Sequence, residues 1–184
     1  LLDIATGTGD VVLSLVKDNP HVNMAYGVDL SAGMLEIAKV KVKAEGLQSK
    51  IVLEKADAQA LPFLSETFDD VTISFGIRNI PDLRLALLEM HRVLKTQGKV
   101  IILEFSLPKN PLVRVGHWFY INIIVPLVGF IFSGHTQAYR YLAQTIESFP
   151  YGERFCKILK QMGFSNIQSK TFLGGTATVY WAEK

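Results

Sequence analysis

Two closely spaced glycines near the start of the chain could hold a ligand against the backbone. Gly7 and Gly9 lie directly after the apolar run 1–5. Glycine lets the backbone turn sharply, and it lets a ligand lie against the chain with no Cβ in the way. A dinucleotide-binding fingerprint would place a third glycine three residues after Gly9, but that position is Val12. The segment therefore predicts a ligand site that disfavours a pyrophosphate.

Three carboxylates follow predicted strands at positions that suit a cationic nucleoside. Asp10 begins the first predicted helix, where it would repel a phosphate but suit the amino and sulfonium groups of S-adenosylmethionine. Asp29 ends the second predicted strand, and its acceptors suit both ribose hydroxyls. Asp57, followed by Ala58, ends the third and suits the adenine amine. Ligands bind beyond the carboxyl ends of parallel strands, so one site is predicted, with ordinary turn and capping roles as the alternative.

The order of predicted elements supplies a sheet that brings these residues together. Strands are predicted over 1–5, 24–28, 51–55, 71–75 and 100–104, and helices over 11–17, 32–45 with Ser31 as N-cap, and 83–94, with a turn at Gln97-Gly98. This alternation predicts a single α/β domain over 1–184, with a mostly parallel central sheet and helices on both faces. A helix over 152–162 and strands over 167–172 and 176–181 predict a C-terminal antiparallel hairpin.

Composition excludes several classes of site. The chain has 19 Lys and Arg against 17 Asp and Glu, and this balance does not predict a nucleic-acid-binding surface. The single cysteine, Cys156, excludes an internal disulfide framework and is predicted to be a buried small residue. His21, His91 and His117 lack the spacing of metal ligands, so no metal is predicted.

The segment 108–150 interrupts the alternation and is interpreted as an insertion over one end of the sheet. Its apolar run 118–132 is shorter than the roughly 20 residues that span a bilayer, and it contains Pro126. Two interpretations remain open. The run forms a core or dimer-interface helix, or it forms an apolar wall for a lipid substrate or a membrane-surface contact, with Trp118 and Tyr120 at the polar boundary.

Several motifs resemble those of a known family. Residues 2–10 resemble motif I of the class I methyltransferases, and residues 68–82 are similar to the signature of the UbiE/MenG quinone C-methyltransferases. Residues 92–106 are similar to the second signature of that family, and residues 139–150 to its later aromatic motif. Thr96 stands in place of the usual proline of the second signature, but the resemblance covers essentially the whole chain.

The resemblance implies a class I methyltransferase Rossmann-like fold and a use of S-adenosylmethionine. It implies methylation of a ring carbon of a polyprenylated benzoquinol or demethylmenaquinol in ubiquinone or menaquinone biosynthesis. The residues expected to bind the cofactor are Gly7, Thr8, Gly9, Asp29, Asp57, Ala58 and Ser74.

The expected partner is a lipid quinol, and a peripheral membrane contact, a homodimer and a quinone-biosynthesis complex are further expectations. The expected location is the cytoplasm, at the inner face of the membrane, or the matrix side in mitochondria. The chain begins at Leu1 rather than Met, and the family's N-terminal segment is expected to precede it.

Arg78 and Asn79 are the candidate catalytic residues. A ring carbon becomes more nucleophilic when the neighbouring phenol, which titrates near pH 10 by analogy with tyrosine, loses its proton. Arg78 is expected to stabilise the phenolate, or alternatively to form a structural ion pair, and Asn79 to position it; His135 is an alternative base. Rival functions are a nicotinamide oxidoreductase, disfavoured by Val12, a noncatalytic scaffold, and methylation of another small apolar acceptor.

Overall fold

The computed structural model describes residues 1–108, 110–119 and 137–184, and within them a seven-stranded sheet. The strands are β1 (Leu2–Ile4), β2 (Ala25–Asp29), β3 (Ile51–Lys55), β4 (Phe68–Ser74), β5 (Leu94–Phe105), β6 (Ser165–Phe172) and β7 (Ala177–Glu183). Their order is β3-β2-β1-β4-β5-β7-β6. Strands β1 to β5 run parallel, and β7 is antiparallel to both β5 and β6. The predicted mostly parallel sheet with a C-terminal hairpin is confirmed.

Helices cover both faces of the sheet. The α-helices of the described residues are α1 (Asp10–Asp18), α2 (Ala32–Ala44), α3 (Leu83–Val93), α4 (Pro111–Phe119), α5 (Gln137–Ser148) and α6 (Glu153–Gln161). Side chains of β2 alternate between two cores, as the pleat requires. Ala25 packs with Val42 of α2 in one core, whereas Val28 shares the other with Met90 of α3 and Phe155 of α6.

The strand order reverses at β1. This strand pairs in parallel with β2 on one side and with β4 on the other. The chain moves outward from β1 through β2 to β3 and then returns to the other side of β1 at β4. A crevice opens at such a point beyond the carboxyl ends of the strands, and it is the usual ligand position in open α/β sheets. The loops that follow β1, β2, β3 and β4 therefore meet around one crevice.

Strand β5 begins six residues earlier than predicted. Phe68 of β4 pairs with Leu94, and Asp70 pairs with Lys99, so the segment between them forms a bulge. The turn predicted at Gln97-Gly98 is therefore wrong, since the two residues lie inside a strand that stays paired with β4. Gln97 takes up the irregularity with a φ of 67°. At Gly98 a Cβ would lie 2.8 Å from the carbonyl oxygen of Asp69, which explains the glycine.

The predicted helix boundaries hold closely where a capping signal exists. The hydroxyl of Ser31 accepts a hydrogen bond from the Met34 amide at 3.3 Å, so the predicted N-cap of α2 is confirmed. Of the segment 108–150, the structure describes α4, α5 and their flanks. Most of the apolar run 118–132, and His135, lie outside the described residues. No helix among those described is long and apolar enough to cross a membrane.

Candidate active site

The loop after β1 turns on its glycines, as expected. Gly7 and Gly9 have φ values of 56° and 83°, in the left-handed region that favours glycine. The Gly7 amide donates to Asp29 Oδ2 at 2.9 Å, which ties the loop to the end of β2. A Cβ on Gly9 would lie 3.0 Å from Cβ of Ala38, so this glycine also lets the start of α1 approach α2.

Asp29 is held in one orientation by two backbone amides. Its Oδ2 accepts from Gly7 N, and its Oδ1 accepts from Ser31 N at 2.8 Å. The carboxylate is half-buried at the carboxyl end of β2. Since two carboxylate oxygens offer about four lone-pair sites, acceptors remain for a pair of ribose hydroxyls.

Asp57 is positioned by Gln59, a residue that the sequence analysis missed. Asp57 Oδ1 accepts from the Gln59 backbone amide at 2.9 Å and from its side-chain Nε2 at 3.2 Å. Gln59 Oε1 in turn accepts from the Asp82 amide at 2.9 Å. Gln59 thus joins the loop after β3 to the segment that begins α3. No local pattern identifies this role, because it depends on a residue 23 positions away.

A cavity of about 240 Å³ lies where these loops meet. It is lined by Ile4, Ala5, Asp29, Leu30, Ala56, Asp57, Ala58, Gly76, Asn79, Ile80 and Pro81. Two acids and no cation occur among these lining residues, which favours a ligand with hydroxyl and amine donors over a phosphate. The apolar walls suit a flat ring. The predicted residues Asp29, Asp57, Ala58 and Asn79 are brought together here. The other predicted residues among those described do not line the cavity: Gly7, Thr8, Gly9, Ser74 and Arg78.

Asp10 does not face this cavity. Its carboxylate forms an ion pair with Lys41 of α2 at 2.7 Å and accepts from the Thr8 hydroxyl at the same distance. The hydrogen bond from Lys41 holds the pKa of Asp10 below its usual range. Asp10 lies instead at an exposed groove between α1 and α2, where Lys41 supplies the cation that it meets, so its position does not support the expected contact with a cationic ligand.

Asp3 is a buried carboxyl group beneath the glycine loop, and sequence reasoning missed it as well. Its Oδ2 accepts from the Thr6 hydroxyl at 2.6 Å and its Oδ1 from the Thr72 hydroxyl at 2.7 Å. Burial raises the pKa of Asp3 to about 6, although the two hydroxyls oppose the shift. Asp3 joins the base of the loop to β4. An acid inside the apolar run of β1 was the available signal.

Arg78 lies in the 3-10 turn Ile77–Asn79, directly after β4, and its guanidinium pairs with Glu104 of β5. Arg78 Nη1 lies 2.7 Å from Glu104 Oε1; the two side chains are 10% and 0% exposed. Burial raises the pKa of Glu104, and the positive charge of Arg78 offsets part of the shift. The ion pair left open by the sequence is thus present, but Glu104 itself was not predicted.

Aromatic rings pack beside this ion pair. The Arg78 guanidinium lies 5.0 Å from the ring centroid of Phe105, and that ring packs on Phe75 with a centroid distance of 4.5 Å. Phe75 is partly exposed and has a φ of 55°, which is unusual for a bulky residue. Next to it, a Cβ on Gly76 would lie 2.5 Å from Cβ of Ala5, so only glycine lets the loops after β1 and β4 touch.

The remaining candidates are placed as follows. Ser74 ends β4, and Asn79 borders the cavity one residue after Arg78. His135 lies outside the described residues. Within residues 1–108, 110–119 and 137–184, no group of three or more His, Cys, Asp or Glu could hold a metal ion. The arrangement offers a nucleoside cavity with a buried guanidinium and an aromatic pair beyond it.

Comparison with known proteins identifies relatives along the whole chain. The model of the ubiE/COQ5 methyltransferase family matches residues 1–184. The chain is 42% identical to the ubiquinone/menaquinone biosynthesis C-methyltransferase UbiE of Geotalea uraniireducens over 184 residues, all of this chain and 78% of that protein. It is 39% identical to the demethylmenaquinone methyltransferase of Bacteroides fragilis over the same length, 75% of that protein.

Solved structures show the same fold at low sequence identity. A SAM-dependent methyltransferase from Aquifex aeolicus superposes with a TM-score of 0.70 at 18% identity, and the match covers 99% of this chain and 80% of that one. Phosphoethanolamine N-methyltransferase 2 of Haemonchus contortus in complex with S-adenosyl-L-methionine gives a TM-score of 0.72 at 17% identity, over 100% of this chain and 48% of that one. The fold is that of the class I methyltransferases, as the resemblance implied.

Proposed function

Because the chain belongs to the ubiE/COQ5 methyltransferase family, it is an S-adenosylmethionine-dependent methyltransferase, and we propose that its acceptor is a ring carbon of a polyprenylated benzoquinol or naphthoquinol. The observation that carries the proposal is the cavity at the strand ends, with Arg78 and two aromatic rings beside it. Relatives at about 40% identity are named for ubiquinone and menaquinone biosynthesis. The expected step is C-methylation in such a pathway.

The residues around the cavity fit the cofactor. Asp29 accepts from the ribose hydroxyls, since Gly7 and Ser31 hold its oxygens in place. Asp57 accepts from the adenine amine, and Ala58 lies next to it in the wall. We assign further cofactor contacts to the backbone of Gly7, Thr8 and Gly9, in the loop after β1. Another contact is assigned to Ser74, which ends β4.

The catalytic assignment belongs to Arg78. When bound, S-adenosylmethionine supplies a methyl group activated by its sulfonium. The chain has to make the acceptor ring electron-rich, and a guanidinium in a site shielded from water stabilises a phenolate far better than water does. Arg78 stabilises the phenolate, Asn79 positions it or a water molecule, and His135 is the alternative base.

Transfer of labelled methyl groups tests this proposal. Isotope from methyl-labelled S-adenosylmethionine should appear in a short-prenyl demethylnaphthoquinol or benzoquinol, and not in a phenol that lacks a second ring oxygen. The Arg78→Ala variant should lose turnover by about 100-fold or more, as for other oxyanion-stabilising groups, while calorimetry shows nearly unchanged cofactor affinity. If Arg78→Ala loses turnover and cofactor affinity equally, the catalytic role is refuted. If the label appears in none of the quinols, the proposed acceptor is refuted.

We further propose that the segment 108–150 forms a cap that faces the lipid substrate and the membrane. Large apolar side chains are exposed on α4 and on the turn between β6 and β7, such as Leu112, Val115 and Leu173. The two elements are adjacent, because a Cβ on Gly174 would lie 3.6 Å from Cγ1 of Val113. An exposed apolar patch of this kind suits a membrane surface. The site of action is then the inner face of the membrane. In a homodimer or a quinone-biosynthesis complex, the same patch would contact a protein partner instead of lipid.

A further inference from the structure

Glu104 is a buried carboxylate at a position where the strand pattern calls for an apolar residue. It alternates along β5 with Val100 and Ile102, which are fully buried in the core formed with α3 and α6. Its neighbour on β7 is Thr178. Taking a charge out of water is unfavourable, so a carboxylate persists here only if its partners compensate for the loss.

Among the described residues, the hydrogen bonds of Glu104 come from Arg78 and from the main chain of the next strand residue. Oε1 accepts from Arg78 Nη1 at 2.7 Å and from the Phe105 amide at 2.8 Å. Oε2 accepts from the main-chain amide of Arg78 at 3.2 Å. One carboxylate therefore fixes both the backbone and the guanidinium of Arg78, and it joins the turn after β4 to the end of β5.

Stability does not explain this ion pair. Replacement of a buried ion pair by apolar residues of similar volume is often neutral or even stabilising, so such a pair is weak evidence for a structural role. What the pair does achieve is a fixed guanidinium. Its Cζ lies over the ring of Phe105, 5.0 Å from the centroid, and Nη1 donates also to the carbonyl oxygen of Phe75.

One buried donor of the fixed guanidinium has no acceptor among the described residues. Arg78 Nε is buried and has no hydrogen-bond partner in the part of the chain that the structure describes. A buried donor without an acceptor is unfavourable, so an oxygen brought by a ligand would relieve the penalty. The next residue, Asn79, lines the cofactor cavity, so Arg78 belongs to the turn that borders the site.

We propose that Glu104 is a positioning residue for methyl transfer, which holds the guanidinium of Arg78 in the orientation that stabilises the phenolate oxygen of the quinol. The inference rests on the proposed function, and it adds to the site a residue that does not itself contact the substrate. Glu104 also balances the charge of Arg78, so the guanidinium is not an uncompensated buried cation before the substrate arrives. Glu104 acts through Arg78 alone.

The geometry can be tested without turnover. In proton-nitrogen correlation spectra, the Nε–H signal of Arg78, assigned by its loss in Arg78→Lys, should exchange slowly with water. Glu104→Gln should abolish this protection, because the amide cannot accept at both of the carboxylate's oxygens. The matched control is Glu89→Gln, which removes the charge from an Arg–Glu pair of 2.6 Å on α3. That change should leave the Arg78 signal protected.

Kinetics then separate positioning from binding and from folding. With a short-prenyl demethylnaphthoquinol as the probe, Glu104→Gln should lower kcat about 100-fold, as a misplaced catalytic group does, while KM for the quinol changes less than threefold. In the Arg78→Ala background the same change should cause less than a twofold further loss, because the two residues act as a unit. Glu89→Gln should retain kcat within twofold.

Three results would overturn the inference: an unchanged kcat in Glu104→Gln, a loss that multiplies with that of Arg78→Ala, or a loss proportional to the unfolded fraction. Glu104→Asp provides a second variant, since it keeps the charge that compensates Arg78 but withdraws the carboxylate from the guanidinium by one methylene. Its melting temperature should stay near that of the wild type while kcat falls. Failure of the wild type to methylate any quinol would count against the proposed function, and the exchange experiment would still judge the positioning of Arg78.

Discussion

At the scale of single residues, the carboxyl group of Asp3 shows how the glycine loop is anchored. The group lies inside the sheet, where both oxygens accept hydrogen bonds from threonine hydroxyls. Two neutral donors compensate only partly for lost hydration, so burial raises the pKa of Asp3 from 3.8 to about 6. Folding therefore favours the protonated form of this carboxyl group.

The contribution of Asp3 to the free energy of unfolding should decrease as the pH rises through this range. Between pH 4 and pH 6 the folded state holds a proton on Asp3 that the unfolded state has released, so each increase in pH stabilises the unfolded state. A shift of about two pKa units corresponds to roughly 3 kcal/mol, lost by pH 7 and fully recovered below pH 4. Asp3→Asn does not titrate at this position. In urea unfolding, the wild type should therefore lose stability relative to Asp3→Asn as the pH rises from 4 to 7.

The comparison with Asp3→Asn removes the contribution of other titrating groups, such as Glu104. A constant difference for Asp3→Asn would show that Asp3 titrates alike in the folded and unfolded protein.

The sequence predicted those site residues whose place follows from a strand end. Asp29 ends β2 and Asp57 follows β3, and both line the cavity, because parallel strands bring their carboxyl ends together. Asp10 was misjudged because its partner Lys41 lies 31 residues away on another helix. Glu104 was missed for a similar reason, since its partner Arg78 lies 26 residues earlier. Local patterns indicate where a side chain is anchored but not which charge it meets.

At the scale of elements, the cavity depends on a contact between two loops. The loops after β1 and β4 touch at Ala5 and Gly76, where an added Cβ would lie only 2.5 Å from the Cβ of Ala5. Both residues line the cavity. Packed interiors tolerate such an overlap only by shifting backbone, so the distance between the loops fixes the shape of the site.

Gly76→Ala should therefore weaken both folding and cofactor binding. Overpacking of this kind destabilises by about 1–3 kcal/mol, and separation of the loops should lower cofactor affinity about tenfold or more. Thermal unfolding and calorimetry with S-adenosylhomocysteine measure the two effects.

Gly33→Ala is the matched control for that change. A Cβ at Gly33 would meet nothing within 4 Å, and alanine favours the helix α2 in which it lies. This variant should be as stable as the wild type or slightly more stable, with unchanged affinity. Wild-type affinity in Gly76→Ala would contradict the idea that the loop contact shapes the cavity.

Elements with a strong local pattern were predictable, and those defined by pairing were not. Strand β3 was predicted over 51–55 and is found there, and the N-cap at Ser31 placed the start of α2. The first residues of β5 were predicted as helix end and turn. They are extended because they pair with β4 across a bulge, and tertiary pairing of this kind overrides a local turn signal.

At the scale of the whole molecule, the reactive end and the apolar surface belong to neighbouring parts of the fold. Arg78 and Glu104 lie at the carboxyl ends of β4 and β5, and α4 follows β5 after a short connection. The exposed side chains of α4 therefore come directly after the strands that carry the catalytic candidates. The turn after β6 lies against α4 and extends the same apolar surface. A lipid quinol whose tail stays in a bilayer would approach the site from such a surface.

If this surface rests on a membrane, removal of its apolar side chains should release the protein from lipid. Leu112 and Leu173 are 83% and 82% exposed, and each would gain up to about 1.5–3 kcal/mol by full burial in hydrocarbon. The double variant Leu112→Ser and Leu173→Ser should bind vesicles of phosphatidylethanolamine and phosphatidylglycerol at least tenfold more weakly in sedimentation assays. Leu64→Ser is the matched control, since Leu64 is 83% exposed in the segment between β3 and β4. Equal vesicle binding by the wild type, the double variant and Leu64→Ser would exclude this patch as the membrane contact. If the double variant still methylates a quinol that lacks the prenyl tail, lipid docking is separated from the chemical step.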